Sequence, residues 1–156
     1  MKLTVNNLKD TEVVGRIIGR SLEKGSVLCL DGDLGVGKTA LTQFIASELG
    51  VKEYITSPTF TIIKEYEGRL KLNHMDVYRI DSEEAMYDLG YDEYIYSEGA
   101  TIIEWSHKIK GILPKERIDI KIERLSDTCR IMNISGNGKN YEKIAEELNK
   151  YESTGN

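Results

Sequence analysis

Gly32-Asp33-Leu34-Gly35-Val36-Gly37-Lys38-Thr39 matches the phosphate-loop pattern G-x-x-x-x-G-K-[ST] at every fixed position. Glycines at these spacings let backbone N–H groups turn inward around phosphate oxygens without Cβ clashes. Lys38 can reach the β- and γ-phosphates, and the Thr39 hydroxyl can ligate Mg²⁺. The backbone of Gly35, Val36 and Gly37 and the first-turn residue Ala40 complete the candidate cradle. The flanks agree with this reading. Ser26-Val27-Leu28-Cys29-Leu30 is an apolar run of strand length directly upstream. Downstream, Leu41, Phe44, Ile45 and Leu49 recur at helical spacing, with Gly50 as a stop signal. Strand, glycine turn and helix N-terminus together make an anion site, because first-turn N–H groups and the helix dipole both favour negative charge. The sequence predicts a bound nucleotide.

With 156 residues the chain is long enough for one domain with a real core. We expect that domain over residues 1–151, followed by a frayed tail at 152–156. Hydrophobic residues make up 40% and charged residues 30%, the composition of a globular protein. No apolar run approaches the roughly 18 residues of a helical membrane span, and the N-terminus has no signal-peptide pattern. A net charge of −5 and a pI near 5.2 exclude a broad basic nucleic-acid surface on this chain, though not a role beside nucleic acid through a partner. Cys29 and Cys129 have no second cysteine or histidine at metal-ligand spacing. They read as reduced, small apolar core residues of a cytoplasmic protein.

Met1 to Val5 reads as a strand, followed by a helix capped by Asp10 or Thr11 and ending near Gly25. Phe60 to Tyr66 and Leu70 to Tyr78 read as two strands joined by a turn at Glu67-Gly68-Arg69. An antiparallel hairpin in a nucleotide-binding domain argues against a purely parallel sheet. A short helix is expected from Ser82 to Leu89, capped by Ser82. Ala100 to Ile103 is an apolar run ending in Glu104-Trp105. Ile118 to Leu125 and Cys129 to Ile134 alternate like half-exposed strands, and Asn140 to Tyr151 reads as a terminal helix.

Hydrolysis requires more than a phosphate loop: carboxylates must hold Mg²⁺ and a residue must orient water. Glu104 follows the apolar Ile102-Ile103, the layout of a buried parallel strand delivering a carboxylate at its C-terminal edge to act on Mg²⁺ directly or through water; the alternative is a solvated strand-end glutamate. Asp76 lies two residues after His74, on the same strand face, and either orients water or supports the metal shell; the alternative is a local pair with His74. Thr59, in Ser57-Pro58-Thr59-Phe60-Thr61, sits in a loop that can fold over the γ-phosphate; the alternative is a strand-entry turn. Tyr87, Tyr91, Tyr94 and Tyr96 make either a partner surface or ordinary packing. With His107 the only other histidine, a transition-metal site is disfavoured.

Four segments, in order, resemble the bacterial TsaE family, also called YjeE. They are the phosphate loop at 32–39, Ser57-Pro58-Thr59-Phe60-Thr61, His74-Met75-Asp76-Val77-Tyr78-Arg79, and Ile103-Glu104-Trp105, within roughly residues 10–117. The first names only a superfamily; the set of four is specific. The resemblance implies an α/β P-loop domain, a three-layer sandwich with a mixed sheet, a parallel core and helices on both faces. It implies a Mg²⁺-dependent ATPase, weak alone, required for the threonylcarbamoyl group on adenosine 37 of tRNAs reading ANN codons. It also implies partnership with TsaD, which carries the modification chemistry, and with TsaB; ATP hydrolysis would reset that assembly, and tRNA would be contacted mainly through it.

By the same resemblance Lys38 binds phosphate, Thr39 and Glu104 hold Mg²⁺, Asp76 supports hydrolysis and Thr59 senses the γ-phosphate side. Thr11 would lie near the adenine, and Arg130 is a candidate for closing over phosphate. Ala40 stands where the family commonly has a second threonine, Met75 where it has Phe, and His107 where an acid or amide is frequent. Two rival functions are a small-molecule kinase on the same fold and a nucleotide-dependent binding module without hydrolysis. A kinase usually needs a basic lid, and the segment from Asp81 to Glu98 is acidic and tyrosine-rich.

Overall fold

The computed structural model describes residues 1–154. The chain runs β1 (Lys2–Val5), α1 (Leu8–Ser21), β2 (Val27–Asp31), α2 (Lys38–Glu48), β3 (Ile63–Tyr66), β4 (Leu72–Asp76), α3 (Glu83–Asp88), α4 (Tyr91–Ile95), β5 (Ala100–Glu104), a 3-10 helix (Ser106–Ile112), β6 (Arg117–Arg124), β7 (Arg130–Asn137) and α5 (Lys139–Ser153). The strands form one sheet in the order β1-β7-β6-β2-β5-β4-β3. β2 pairs in parallel with β6 and β5, and β5 in parallel with β4. β1–β7, β7–β6 and β3–β4 are antiparallel. This is the mixed α/β sheet with a parallel core that the sequence predicts.

Side-chain alternation sorts the core into two clusters. Leu28 and Leu30 of β2 and Ile102 of β5 pack against Ile18 of α1 and Ile45 of α2. Val27, Cys29 and Ile103 point the other way, onto Met86 of α3, Tyr91 of α4 and Ile109 of the 3-10 helix. The parallel strands are therefore buried on both faces, which explains their unbroken apolar runs. In β6, Ile118, Ile120 and Ile122 join the first cluster alone. Their neighbours Arg117, Asp119 and Lys121 stay at least partly accessible. That end of the sheet is covered on one face, hence the alternation in sequence.

Several boundaries differ from expectation. The cap of α1 is Asn7, whose Oδ1 accepts from the Asp10 amide at 2.9 Å, and Thr11 lies inside the helix. Asp10 instead accepts from the Asn6 amide at 2.9 Å. The helix stops at Ser21, short of Gly25, where Arg69 donates to the Gly19 carbonyl at 2.6 Å. β3 begins at Ile63 rather than Phe60 because the chain turns tightly first: Ile62 N–H bonds the Pro58 carbonyl at 2.8 Å. Ser82 caps α3 as expected, through the Ala85 amide. α4 and the 3-10 helix were not anticipated. α5 continues to Ser153, past Tyr151. Residues 155–156 of the expected tail lie outside the described residues. Among the described residues, no helix is long and apolar enough to cross a membrane.

Two glycines let α1 seat directly on α2. A Cβ at Gly15 would lie 2.6 Å from Phe44 Cβ, and one at Gly19 would lie 2.7 Å from Glu48 Cβ and 2.8 Å from the Ile45 carbonyl. Since α2 carries Lys38 in its first turn, this contact sets the depth of the phosphate loop against the core. Gly19→Val should therefore wedge the helices apart and cost about 1–3 kcal/mol, read as a lower Tm in a thermal melt.

The cysteines are not equivalent. Cys29 is fully buried, and burial, reinforced by Asp119, pushes its thiol pKa up to about 12. Cys129 is not a core residue; it is partly accessible at the turn before β7, 3.6 Å from Asn6 Oδ1. A thiol reagent should modify Cys129 in the folded chain and Cys29 only after denaturant is added. Equal rates in the native protein would contradict this packing.

Candidate nucleotide-binding site

β2, β5 and β4 end side by side at one edge of the sheet, the position where open parallel sheets bind ligands. From the end of β2 the chain enters the glycine loop. Gly32 has φ 153°, and a Cβ there would lie 2.7 Å from the Ile122 carbonyl, so only glycine fits against β6. Gly37, at φ 119°, is the N-cap of α2 and provides no side-chain cap, leaving the first-turn N–H groups directed at the loop.

Lys38 is 5% exposed. Its Nζ donates to the Gly32 carbonyl and, at 3.1 Å, to the Asp33 carbonyl, and it sits 4.2 Å from the centroid of the Trp105 ring. Burial depresses the Lys38 pKa, opposed by the negative charges of Glu104, Asp76, Asp31 and Asp33. Trp105 is itself held in the left-handed region at φ 62°. Asp31 fixes the turn beyond it, accepting from Ser106 Oγ at 2.5 Å and from the His107 amide at 3.3 Å.

Asp76 and Glu104 are register partners on adjacent strands, both almost fully buried. Their hydrogen bonds differ. Asp76 Oδ2 accepts from Ser57 Oγ at 2.8 Å, and Oδ1 from the Tyr78 amide at 2.9 Å. Ser57 Oγ also lies 3.2 Å from Thr59 Oγ1, so the Thr59 loop is tied to Asp76 through Ser57. Glu104 Oε2 lies 2.5 Å from His74 Nε2. The alternative pairing of Asp76 with His74 is thus corrected: His74 reaches diagonally across to β5 and leaves Asp76 to the loop.

Lys38, Thr39, Thr59, Asp76, Arg79 and Glu104 line one cavity of about 500 Å³. Thr11 and Arg130 are placed elsewhere. They meet with Val36, Gly37 and Ala40 in a neighbouring cavity of about 290 Å³, which shares Gly37 and Ala40 with the first. Arg130 Nε donates to the Val36 carbonyl at 2.9 Å, bracing the loop from β7. The tyrosines divide: Tyr91 is buried with its hydroxyl on the Ile112 carbonyl at 3.0 Å, whereas Tyr87 and Tyr96 are exposed. Sequence reasoning assigned no role to Ser57, Asp31 or the ring of Trp105. The signals were the strand-end position of Asp31 and the place of Ser57 and Trp105 inside two of the four family segments.

The TsaE family profile, described as threonylcarbamoyl adenosine biosynthesis protein TsaE, matches residues 5–132. The chain belongs to the TsaE family. A relative from Bacillus subtilis (strain 168), the tRNA threonylcarbamoyladenosine biosynthesis protein TsaE, is 41% identical over 100% of this chain and 98% of its own length. The protein of that name from Treponema pallidum (strain Nichols) is 41% identical over 86% of this chain and 100% of its own. A crystal structure of Bacillus subtilis YdiB superposes with a TM-score of 0.80 at 40% identity, covering 97% of this chain and 95% of that one.

In this TsaE-family chain the donor set suits Mg²⁺. The Thr39 hydroxyl has no hydrogen-bond partner among the described residues, and two carboxylates stand beside it in the cavity. Mg²⁺ takes one or two protein oxygens and completes its shell with water and phosphate. No group of three or more His, Cys, Asp and Glu side chains among the described residues could hold a metal alone. Trp105 is the single tryptophan and touches Lys38. Adding a nucleoside triphosphate should change its fluorescence as Lys38 turns toward phosphate, and Lys38→Ala should abolish the change. An identical response in a folded Lys38→Ala protein would contradict the placement of phosphate at this loop.

Proposed function

We propose that this chain is the ATPase that serves formation of threonylcarbamoyladenosine in tRNA, acting on a TsaD–TsaB assembly to permit its turnover. The observation that carries this reading is the convergence of Lys38, Thr39, Asp76 and Glu104 on one cavity at the edge of the parallel strands. Family membership supplies the pathway: the relatives from B. subtilis and T. pallidum carry it in their names.

Lys38 and the free N–H groups of the α2 first turn neutralise and orient the phosphates. Thr39 and Glu104 would hold Mg²⁺, which supplies charge neutralisation at the transferring phosphoryl group. Asp76 accepts hydrogen bonds from Ser57 and the Tyr78 amide, which fixes its carboxylate to accept from an attacking water. Thr59 reports the γ-phosphate side to Asp76 through Ser57. The second cavity, with Thr11 and Arg130, takes the adenosine end, where Ala40 offers no hydroxyl. The kinase reading is weaker. Residues 81–98 contain no Lys or Arg, and α3 and α4 pack against the opposite face of the sheet from α2.

ATP hydrolysis by the purified chain should rise strongly when a cognate TsaB–TsaD pair is added, and Glu104→Ala should abolish it in both conditions. Unstimulated turnover with ATP bound and the pair folded would overturn the assembly reading. Undiminished hydrolysis by Glu104→Ala would overturn the assignment of the site.

A further inference from the structure

The imidazole of His74 is completely buried, and its two nitrogens stand in opposite situations. Nε2 lies 2.5 Å from Glu104 Oε2, whereas Nδ1 is buried with no hydrogen-bond partner among the described residues. A buried N–H without an acceptor costs more than a bare lone pair on an aromatic nitrogen, so the ring proton belongs on Nε2. His74 is then a donor with one target. The strand register explains the choice: on β4 and β5 the residue opposite His74 is Ile102, and the residue opposite Glu104 is Asp76. Glu104 leans back along its strand to His74 and away from the carboxylate beside it.

We propose that His74 is a positioning residue for the phosphate site. By holding Oε2 of Glu104 it fixes the carboxylate plane, so that Oε1 is presented to the metal side of the cavity beside Thr39. This rests on the reading of Glu104 as a Mg²⁺ ligand given above. A carboxylate held by a hydrogen bond from outside the coordination sphere binds metal in one orientation, and removal of such a partner typically costs about 10–100-fold in metal affinity or activity.

The test uses two amides of the same polarity but different reach. In His74→Gln the amide nitrogen falls near the position of Nε2; in His74→Asn it falls near Nδ1 and cannot reach Glu104. ATP binding would be followed through Trp105 fluorescence in EDTA and against Mg²⁺ concentration. The expected result is unchanged binding in EDTA for both variants. The Mg²⁺ concentration giving half of the metal-dependent gain should rise about 10–100-fold in His74→Asn and recover most of the way in His74→Gln. Equal behaviour of the two amides would overturn the proposal. A wild-type chain with no Mg²⁺ response at all would instead overturn the functional reading on which it rests. The second measurement needs no variant: a long-range ¹H–¹⁵N spectrum of the ¹⁵N-histidine-labelled chain, which has two histidines, should show the His74 proton on Nε2. A bare Nε2 would overturn the assignment.

Discussion

The buried ammonium of Lys38 is the constraint around which this edge of the sheet is arranged. Taking a cation out of water costs on the order of several kcal/mol, and burial accordingly lowers the Lys38 pKa. Four carboxylates counter it: Asp31 at the end of β2, Asp33 in the loop, and Asp76 and Glu104 at the ends of β4 and β5. Two loop carbonyls and the face of Trp105 supply the direct contacts. A lysine so held is close to the loop backbone yet hydrogen-bonded mainly to neutral acceptors. Phosphate oxygens, being anionic, are better acceptors for it than carbonyls are, and on the proposed reading this difference would draw the side chain toward a bound nucleotide.

That arrangement depends on strands that end together. The parallel strands are sheathed on both faces, and α1 is pressed onto α2 at Gly15 and Gly19, so the loop is held at a fixed height over β5 and β4. Two non-glycine residues at this edge have positive φ: Trp105 at 62°, which lines the cavity, and Ile62 at 67°, which bonds the backbone of Asp76. Each costs on the order of 1–3 kcal/mol, and each has a visible restraint. Ile62 gives its carbonyl to the Asp76 amide at 2.8 Å, and Trp105 is followed by the two residues that bond Asp31. Strain is thus concentrated in the two segments that meet Asp76 and Glu104.

The fold was legible where one local rule governs. The phosphate loop, the unbroken apolar strands and the alternating β6 and β7 were each read from residue type and period. Legibility failed where a tertiary partner decides. Nothing local distinguishes Asn7 from Asp10 as the cap of α1, and Phe60 to Ile62 have strand composition but are wound into a turn that ends on Asp76. Gly15 and Gly19 look like helix weaknesses until α2 is placed against them. In the site, Asp76 and Glu104 were identifiable as strand-end acids, but their partners were not. His74 and Asp76 share a face by alternation, and only the parallel register with β5 shows that His74 bonds the acid on the other strand.

The register also separates the functions of two carboxylates that composition makes alike. Asp76 has a donor on each oxygen, one the Tyr78 amide two residues on and one the Ser57 hydroxyl, which continues to Thr59. Its orientation therefore depends on where the Thr59 loop stands. Glu104 has its donor from His74, a ring packed inside the sheet with no exposure, so its orientation depends on the core alone. An acid tied to a loop can respond to what the loop touches; an acid tied to the core keeps one geometry whatever the loop does. Metal holding requires the second property, and coupling of hydrolysis to a bound phosphate requires the first. The proposed division, Glu104 to the metal and Asp76 to the water, therefore draws support from these hydrogen bonds as well as from sequence similarity.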